Sequence, residues 1–249
     1  MSGPVGRADL ALGFEETVAS TADVHVGGPS FYPPMLEDTG AASSSVHISQ
    51  FGFRPGAIGE AFARALLAKV SEGVAVRVVV DHRGSDPDGS SRELYDRLLA
   101  AGVDVRVVRA TQLRAPPRPL SAGGSSRWNL DRLGSIDHRK FVVVDGRVGW
   151  VGGAGIEDHF DEGRFHDLFL RVSGPVAAQL QLVFLAGFRW LGGEIPPEQL
   201  DALFPVHDDV PGAVPATVLH NAPGSYRPIT TAIAQLLDGA RETLDVVNP

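Results

Sequence analysis

The sequence predicts an α/β domain built on a mixed β-sheet, and three observations carry that prediction. Between residues 46 and 108, β-branched runs alternate with helical patterns, the signature of parallel βαβ units covered by helices on both faces. Two apolar runs, 141–144 and 148–151, flank Asp145-Gly146, a strong hairpin signal that adds antiparallel strands to the sheet. A further apolar run at 167–172 leads through Gly174-Pro175 into a long helical pattern, which supplies one more strand and one more covering helix.

The first predicted strand is 46–51. Pro55-Gly56 then opens a helix over 57–71, with Ile58, Phe62, Ala65, Leu66 and Val70 on its apolar face and Gly73 as its stop. Residues 74–80 form a strongly β-branched strand closed by Asp81. Ser90-Ser-Arg-Glu93 has the Ser-x-x-Glu form of a capped helix start, giving a helix from Ser90 to Ala101 that ends at Gly102. The next strand is 103–108. After the hairpin and the strand at 167–172, the helix runs over 176–190.

Gly192-Gly193 and the proline-rich stretch to Pro215 read as a linker with a short helix near 198–203. A strand at 216–219, a helix at 229–240 and a strand starting at 244–247 follow. That last order echoes the loop, helix and strand around residues 30–51. The expected organisation is therefore an N-terminal segment (1–40), a first domain (41–190), a linker (191–215) and the beginning of a second, similar domain (216–249).

Composition narrows the function. The 249 residues are 43% hydrophobic, ample for a buried core, and contain no cysteine, which excludes disulfides and thiolate metal sites. The N-terminus lacks a charged start followed by an apolar run, and no stretch approaches eighteen apolar residues. Neither a signal peptide nor a transmembrane segment is expected. A formal net charge of −8 argues against non-specific nucleic-acid binding. Locally the balance reverses. Arg109, Arg114, Arg118, Arg127 and Arg132 face one acid, Asp131, in a loop that also carries Trp128. Such a loop suits an anionic head group or a membrane interface, or is an ordinary solvated loop in an arginine-biased chain.

The chemistry concentrates in His138-Arg-Lys140-Phe-Val-Val-Val-Asp145, followed by Gly152-Gly153: H-x-K-x4-D-x6-G-G. Residues two apart on a strand share a face, so the spacing sets an imidazole beside an ammonium. The glycines would let backbone approach a ligand closely. A group able to attack or move protons, next to a fixed cation, is what phosphoryl transfer requires. With two lysines among 22 basic residues, a chance H-x-K-x4-D is expected on the order of 0.005 times in this chain.

These residues resemble the HKD motif of the phospholipase D superfamily. The flanks, Val46-His-Ile-Ser-Gln-Phe, Gly73 through Asp81 to Gly84-Ser85, and Phe165-His-Asp167 through Gly174-Pro175 to Trp190, are similar to its bacterial cardiolipin synthase-like branch. The resemblance runs from about residue 30 onward. It implies a phospholipase D-like α/β/α sandwich, two motifs meeting to build one site, a phosphohistidine intermediate, and no metal or other cofactor. It implies His138 as nucleophile, Lys140 as the holder of phosphate oxygens, and Asp145 as a support of motif geometry. Asp167 matches an acid that hydrogen-bonds the far nitrogen of the catalytic imidazole; otherwise it is a solvated carboxylate at a strand start. Gly152 and Gly153 fall on the substrate side.

Two departures stand out. The family pattern places Asn where this chain has Gly155, which removes an amide donor worth roughly 10²-fold in rate. In addition, His25, His47, His82, His159, His166, His207 and His220 are all without Lys two positions on, so the chain holds one motif. The leading expectation is a phosphatidyltransferase or phosphodiesterase acting on anionic phospholipid, cytoplasmic or peripheral at the inner face of the membrane. Its second histidine would come from a downstream domain or a second chain. The alternatives are a homodimeric single-motif nuclease and a catalytically weak binding domain.

Overall fold

The structure, a computed structural model, describes residues 16–86, 88–109, 136–208, 213–221 and 227–245. Arg114, Arg118, Arg127, Arg132 and Trp128 of the arginine-rich loop lie outside the described residues.

Among the described residues, seven strands form one mixed sheet: β2 (Thr21–Val26), β8 (Leu168–Ser173), β7 (Val148–Gly152), β6 (Phe141–Val144), β3 (Ser45–Gln50), β4 (Ala75–Asp81) and β5 (Asp104–Val108), in that spatial order. β3, β4 and β5 are parallel, and every other neighbouring pair is antiparallel. Helices α1 (Gly28–Gly40), α2 (Ala57–Ser71) and α4 (Arg92–Ala100) cover one face, and α5 (Pro175–Trp190) covers the other. This is the α/β/α arrangement expected. The single helical turn α3 (His82–Ser85) extends from the end of β4.

The alternation of the strands sorts the core. Val46, Ile48, Val78, Val80, Val142 and Val144 face α1 and α2, while Val79, Phe141 and Val143 face α5. On the α5 side, the buried His47 ring stacks on Phe184 at 4.6 Å. Its Nδ1 lies 2.8 Å from Gln181 Oε1, and Arg77 Nη1 sits 3.0 Å from its Nε2. Arg77 also donates to Gln199, and Gln181 to the Leu203 carbonyl. This network ties β3 and β4 to the segment carrying a short 3₁₀ turn (Pro197–Gln199) and helix α6 (Leu200–Leu203). Burial pushes the His47 imidazole down to about 3.

Residues 21–40, set apart as an N-terminal segment by the sequence, belong to this same body. β2 is an edge strand of the sheet, and α1 buries Phe31, Tyr32 and Met35. Asp38 on α1 accepts from Trp150 Nε1 at 2.7 Å and from Arg171 Nε and Nη2 at 2.7 and 2.8 Å, fastening the helix to β7 and β8.

Other boundaries shift for local reasons. The helix foreseen from Ser90 starts at Arg92, because Ser90 Oγ bonds Asp88 and Ser91 Oγ bonds the Ser85 carbonyl. α2 is capped from a distance: Asp158 accepts from Ala57 and Ile58 N–H at 2.9 and 2.8 Å. The stretch read as a linker packs on the domain through Leu203, which is buried. The strand foreseen at 216–219 is instead β9 (Val214–Ala216), paired antiparallel with β1 (Thr17–Ala19). Helix α7 (Pro228–Gly239) forms as foreseen, while Leu244 and Asp245 carry no strand.

Candidate active site

The site lies at the C-terminal ends of β3 and β4, where open α/β sheets hold their ligands. Residues 136–140 run into β6 without being part of it, so His138 and Lys140 precede the strand on which their spacing placed them. Their common face survives, because the extended chain keeps the alternation of β6. Asp81, at the end of β4, anchors this segment: its Oδ2 accepts from Asp137 N–H at 2.7 Å and its Oδ1 from Arg83 N–H at 2.8 Å. Asp137 pairs with Arg139, whose guanidinium lies against Gly187 of α5. Odd residues thus turn toward α5, while His138 and Lys140 turn the other way.

Lys140 is buried and reaches back to its neighbour. Its Nζ lies 3.2 Å from His138 Nδ1, 3.3 Å from Nε2 and 3.0 Å from the His138 carbonyl oxygen. The Phe51 ring underlies both, 4.6 Å from the imidazole centroid and 5.1 Å from the ammonium. Burial and then the Lys140 charge lower the His138 pKa from 6.5, against the opposing pull of Asp81 and Asp137. The imidazole is therefore neutral at pH 7, the form that can attack phosphorus. Burial also lowers the Lys140 pKa, with Asp167, Glu157 and Asp137 holding it up.

The remaining sequence-predicted residues divide. Asp145 is not at the site: it sits beyond the far end of β6, five residue steps or about 17 Å of extended chain from Lys140. There it adopts φ 52° and accepts from Ser43 N–H and Oγ, Ser44 N–H and Oγ, and Ser45 N–H at 2.8–2.9 Å. Burial would raise its pKa, but these hydrogen bonds hold it below the usual carboxylate value. These bonds tie the end of β6 to the start of β3.

Asp167 makes no hydrogen bond to His138. Its Oδ1 accepts from Leu168 N–H at 3.0 Å, and its charge acts on Lys140. Gly152 and Gly153 are occupied rather than open. Gly152 N–H donates to the Lys140 carbonyl and Gly153 N–H to that of Leu168. A Cβ on Gly153 would sit 2.2 Å from Asp167 Oδ1, so the close approach these glycines permit is to Asp167 and Phe169, not to a ligand.

On the α5 side, a cavity of about 690 Å³ reaches the His138–Lys140 segment. Among the described residues its walls are mostly apolar and include Ile136, Val151, Leu180, Val183, Trp190 and Leu219. No group of three or more His, Asp or Glu residues able to hold a metal ion occurs among the described residues. No helix among them is long and apolar enough to cross a membrane.

Residues 35–184 match the family described as "Cardiolipin synthase, PLD-like domain". The chain belongs to that family. It is similar to probable cardiolipin synthase YwiE of Bacillus subtilis, with 23% identity over 92% of this chain and 44% of the relative. It is similar also to a cardiolipin synthase of Geobacillus thermodenitrificans, with 29% identity over 74% of this chain and 35% of the relative. The chain thus spans less than half the length of these relatives.

Among solved structures, phosphatidylserine synthase of Haemophilus influenzae superimposes with a TM-score of 0.52 at 12% identity, over 81% of this chain and 46% of that one. Nuc of Salmonella typhimurium, a phospholipase D family member, superimposes with a TM-score of 0.51 at 16% identity, over 71% of this chain and 96% of that one. These likenesses establish the phospholipase D-type fold. The domain is a distant homologue of bacterial cardiolipin synthases.

Asp81 and Glu157 are the site residues that pattern reading did not single out. Asp81 was visible as the acid closing the β4 run. Glu157 was signalled by the glycines at 52 and 155, which make room for its carboxylate.

Proposed function

We propose that this domain carries half of a phospholipase D-type centre that transfers or hydrolyses phosphodiesters of anionic phospholipids through a phosphohistidine at His138. The observation that carries the reading is the Lys140 ammonium held against a neutral His138 imidazole inside a cardiolipin synthase family domain. An imidazole nitrogen attacks phosphorus, an N–P bond forms, and the P–O bond to the leaving alcohol breaks as that oxygen takes a proton from a second imidazole. The second imidazole then removes the proton of water or an acceptor alcohol, whose oxygen displaces His138. Lys140 holds the non-bridging oxygens throughout.

One ring cannot be nucleophile and acid at once, so the second imidazole comes from a further domain or a second copy of this chain. The outward apolar face of α7, with Ile233, Leu236 and Leu237 exposed, is suited to such packing and supports reading residues 216–249 as the beginning of a second domain. The apolar cavity beside the motif favours a lipid over a nucleic-acid diester, as does the net charge. The site of action in this reading is the cytoplasmic membrane face, reached peripherally.

The test is turnover of phosphatidylglycerol by protein that includes the partner motif. His138→Ala should abolish both turnover and the acid-labile ³²P adduct. Retention of either would remove the nucleophile assignment.

A further inference from the structure

β2 ends the sheet, and among the described residues no strand pairs with its outer side. The ladder fixes which of its backbone groups face outward. Gly153 N–H donates to the Leu168 carbonyl, so the even-numbered residues of β8 turn their backbone toward β7. Gly27 N–H donates to the Asp167 carbonyl at 2.8 Å, so the odd-numbered residues of β8 bond to β2, where Thr21, Asp23 and His25 stand opposite Ser173, Arg171 and Phe169. The N–H and C=O groups of Ala22, Val24 and Val26 therefore point out of the sheet.

This edge carries few of the guards that keep strands from pairing. Residues 21–26 include no proline and no lysine, and their register with β8 is continuous, without a bulge. Val24 is 65% exposed and Val26 46%, on the face where Val24 stands opposite Leu170 and Val26 opposite Leu168. The other face presents Asp23 and His25. His25 is held in place by its Nδ1, 3.0 Å from the Ser30 carbonyl, and by the Trp150 ring at 4.9 Å. Arg171, across from Asp23, is already bound to Asp38.

A second β2 laid antiparallel on the first, with Val24 on the two-fold axis, matches on all three counts. Val24 pairs with the partner's Val24, and Ala22 with the partner's Val26, as hydrogen-bonded pairs that use every outward backbone group. The exposed valines meet on one face. On the other, Asp23 falls opposite the partner's His25, twice by symmetry. The two neighbouring registers that keep the outward groups facing each lose a hydrogen-bonded pair. One of them sets Asp23 against the partner's Asp23, and the other sets His25 against the partner's His25. The pattern thus selects a single register, and it is self-complementary, as an isologous contact requires.

We propose that β2 is a homotypic docking edge, through which two copies of this chain join residues 21–26 antiparallel into one continuous sheet. β8 and β7 lie between β2 and β6, so the contact leaves the two motifs roughly 30 Å or more apart. It is separate from any contact that completes the His138 centre, and it does not depend on the phosphodiester reading.

The test is sedimentation equilibrium of the whole 249-residue chain. One strand pair is smaller than a standard-size interface, so a reversible dimer with a Kd on the order of 10 µM is expected. Val24→Pro removes an outward N–H and spares the bonds to β8. Both copies lose a hydrogen bond, and the dimer should weaken at least about tenfold.

The chain has no cysteine, so Val24→Cys gives each copy one thiol. Across the axis the two Cα atoms would lie about 5.5 Å apart, within disulfide range. Mild oxidation should yield a covalent dimer, whereas Leu99→Cys, 51% exposed on α4 near the opposite edge of the sheet, should stay uncrosslinked. This readout carries the test if Val24→Pro does not fold. A wild-type chain still monomeric at about ten times the expected Kd would overturn the docking edge. So would a dimer indifferent to Val24→Pro, or crosslinking no faster at position 24 than at position 99.

Discussion

The ammonium of Lys140 lies almost equidistant from the two ring nitrogens of His138, at 3.2 and 3.3 Å, while also donating to the His138 carbonyl. A cation in that position acts on the ring as a whole and opposes its protonation at either nitrogen. The pair is self-contained: two residues of one extended segment, backed by the single ring of Phe51.

Lys140→Met should therefore raise the His138 pKa toward that of a free imidazole. In wild-type protein the ring stays neutral to a pH below 6.5, so the acid limb of any His138-dependent activity should also fall below that value. Titration of the His138 ring protons by NMR reads the shift directly, and an unchanged or lowered pKa in the variant would show that Lys140 does not set it.

Asp145→Asn should cost on the order of 3 kcal/mol in denaturant unfolding, because three backbone N–H groups and two hydroxyls lose a charged acceptor. The carboxyl is held below its usual value in the folded protein. Its stabilisation is thus present above the unfolded pKa and lost as pH falls through the folded one. The His138 titration in the folded variant should match wild type, since β6 separates the two ends. A loss under 0.5 kcal/mol would remove Asp145 as a fold determinant.

His47→Asn should flatten the acid side of the stability curve. The buried ring titrates near 3 when folded but near 6.5 when unfolded, so between those values the unfolded chain binds the extra proton. Stability from this site is complete above 6.5 and declines by about 1.4 kcal/mol per pH unit as pH falls toward 3. Parallel unfolding curves for wild type and variant between pH 4 and pH 6.5 would contradict the assignment.

Val183→Phe should slow turnover of long-chain phosphatidylglycerol severalfold while sparing a short-chain soluble diester, because the added ring projects into the 690 Å³ cavity beside the motif. Equal effects on both substrates would place the acyl chains elsewhere.

Much of the sheet was legible because its strands declare themselves singly. β4 and β6 are buried β-branched runs, and Asp145-Gly146 takes positive φ at both residues, as a tight hairpin turn demands. β2 and α1 were not legible. β2 is a short edge strand whose alternating Val24 and Val26 stay exposed rather than marking a core face, and Pro33-Pro34 within α1 reads as a breaker until Phe31, Tyr32 and Met35 are seen to bury against the sheet. At the site, the pairing of His138 with Lys140 follows from spacing alone. The displacement of Asp167 toward Gly153 and Lys140, and the burial of Glu157 between Gly52 and Gly155, depend on how distant segments meet, which spacing does not encode.

The clamp of Asp38 on Trp150 and Arg171 has a practical meaning for anyone trimming this protein. The family match begins at residue 35, inside α1, so a fragment cut to that homology would discard β2 and the first half of the helix. It would strip the cover formed by Phe31 and Tyr32 from Phe169 and from the carbonyls of Gly155 and Glu157. A piece that keeps these contacts has to start ahead of Thr21, well upstream of where homology alone would put the scissors.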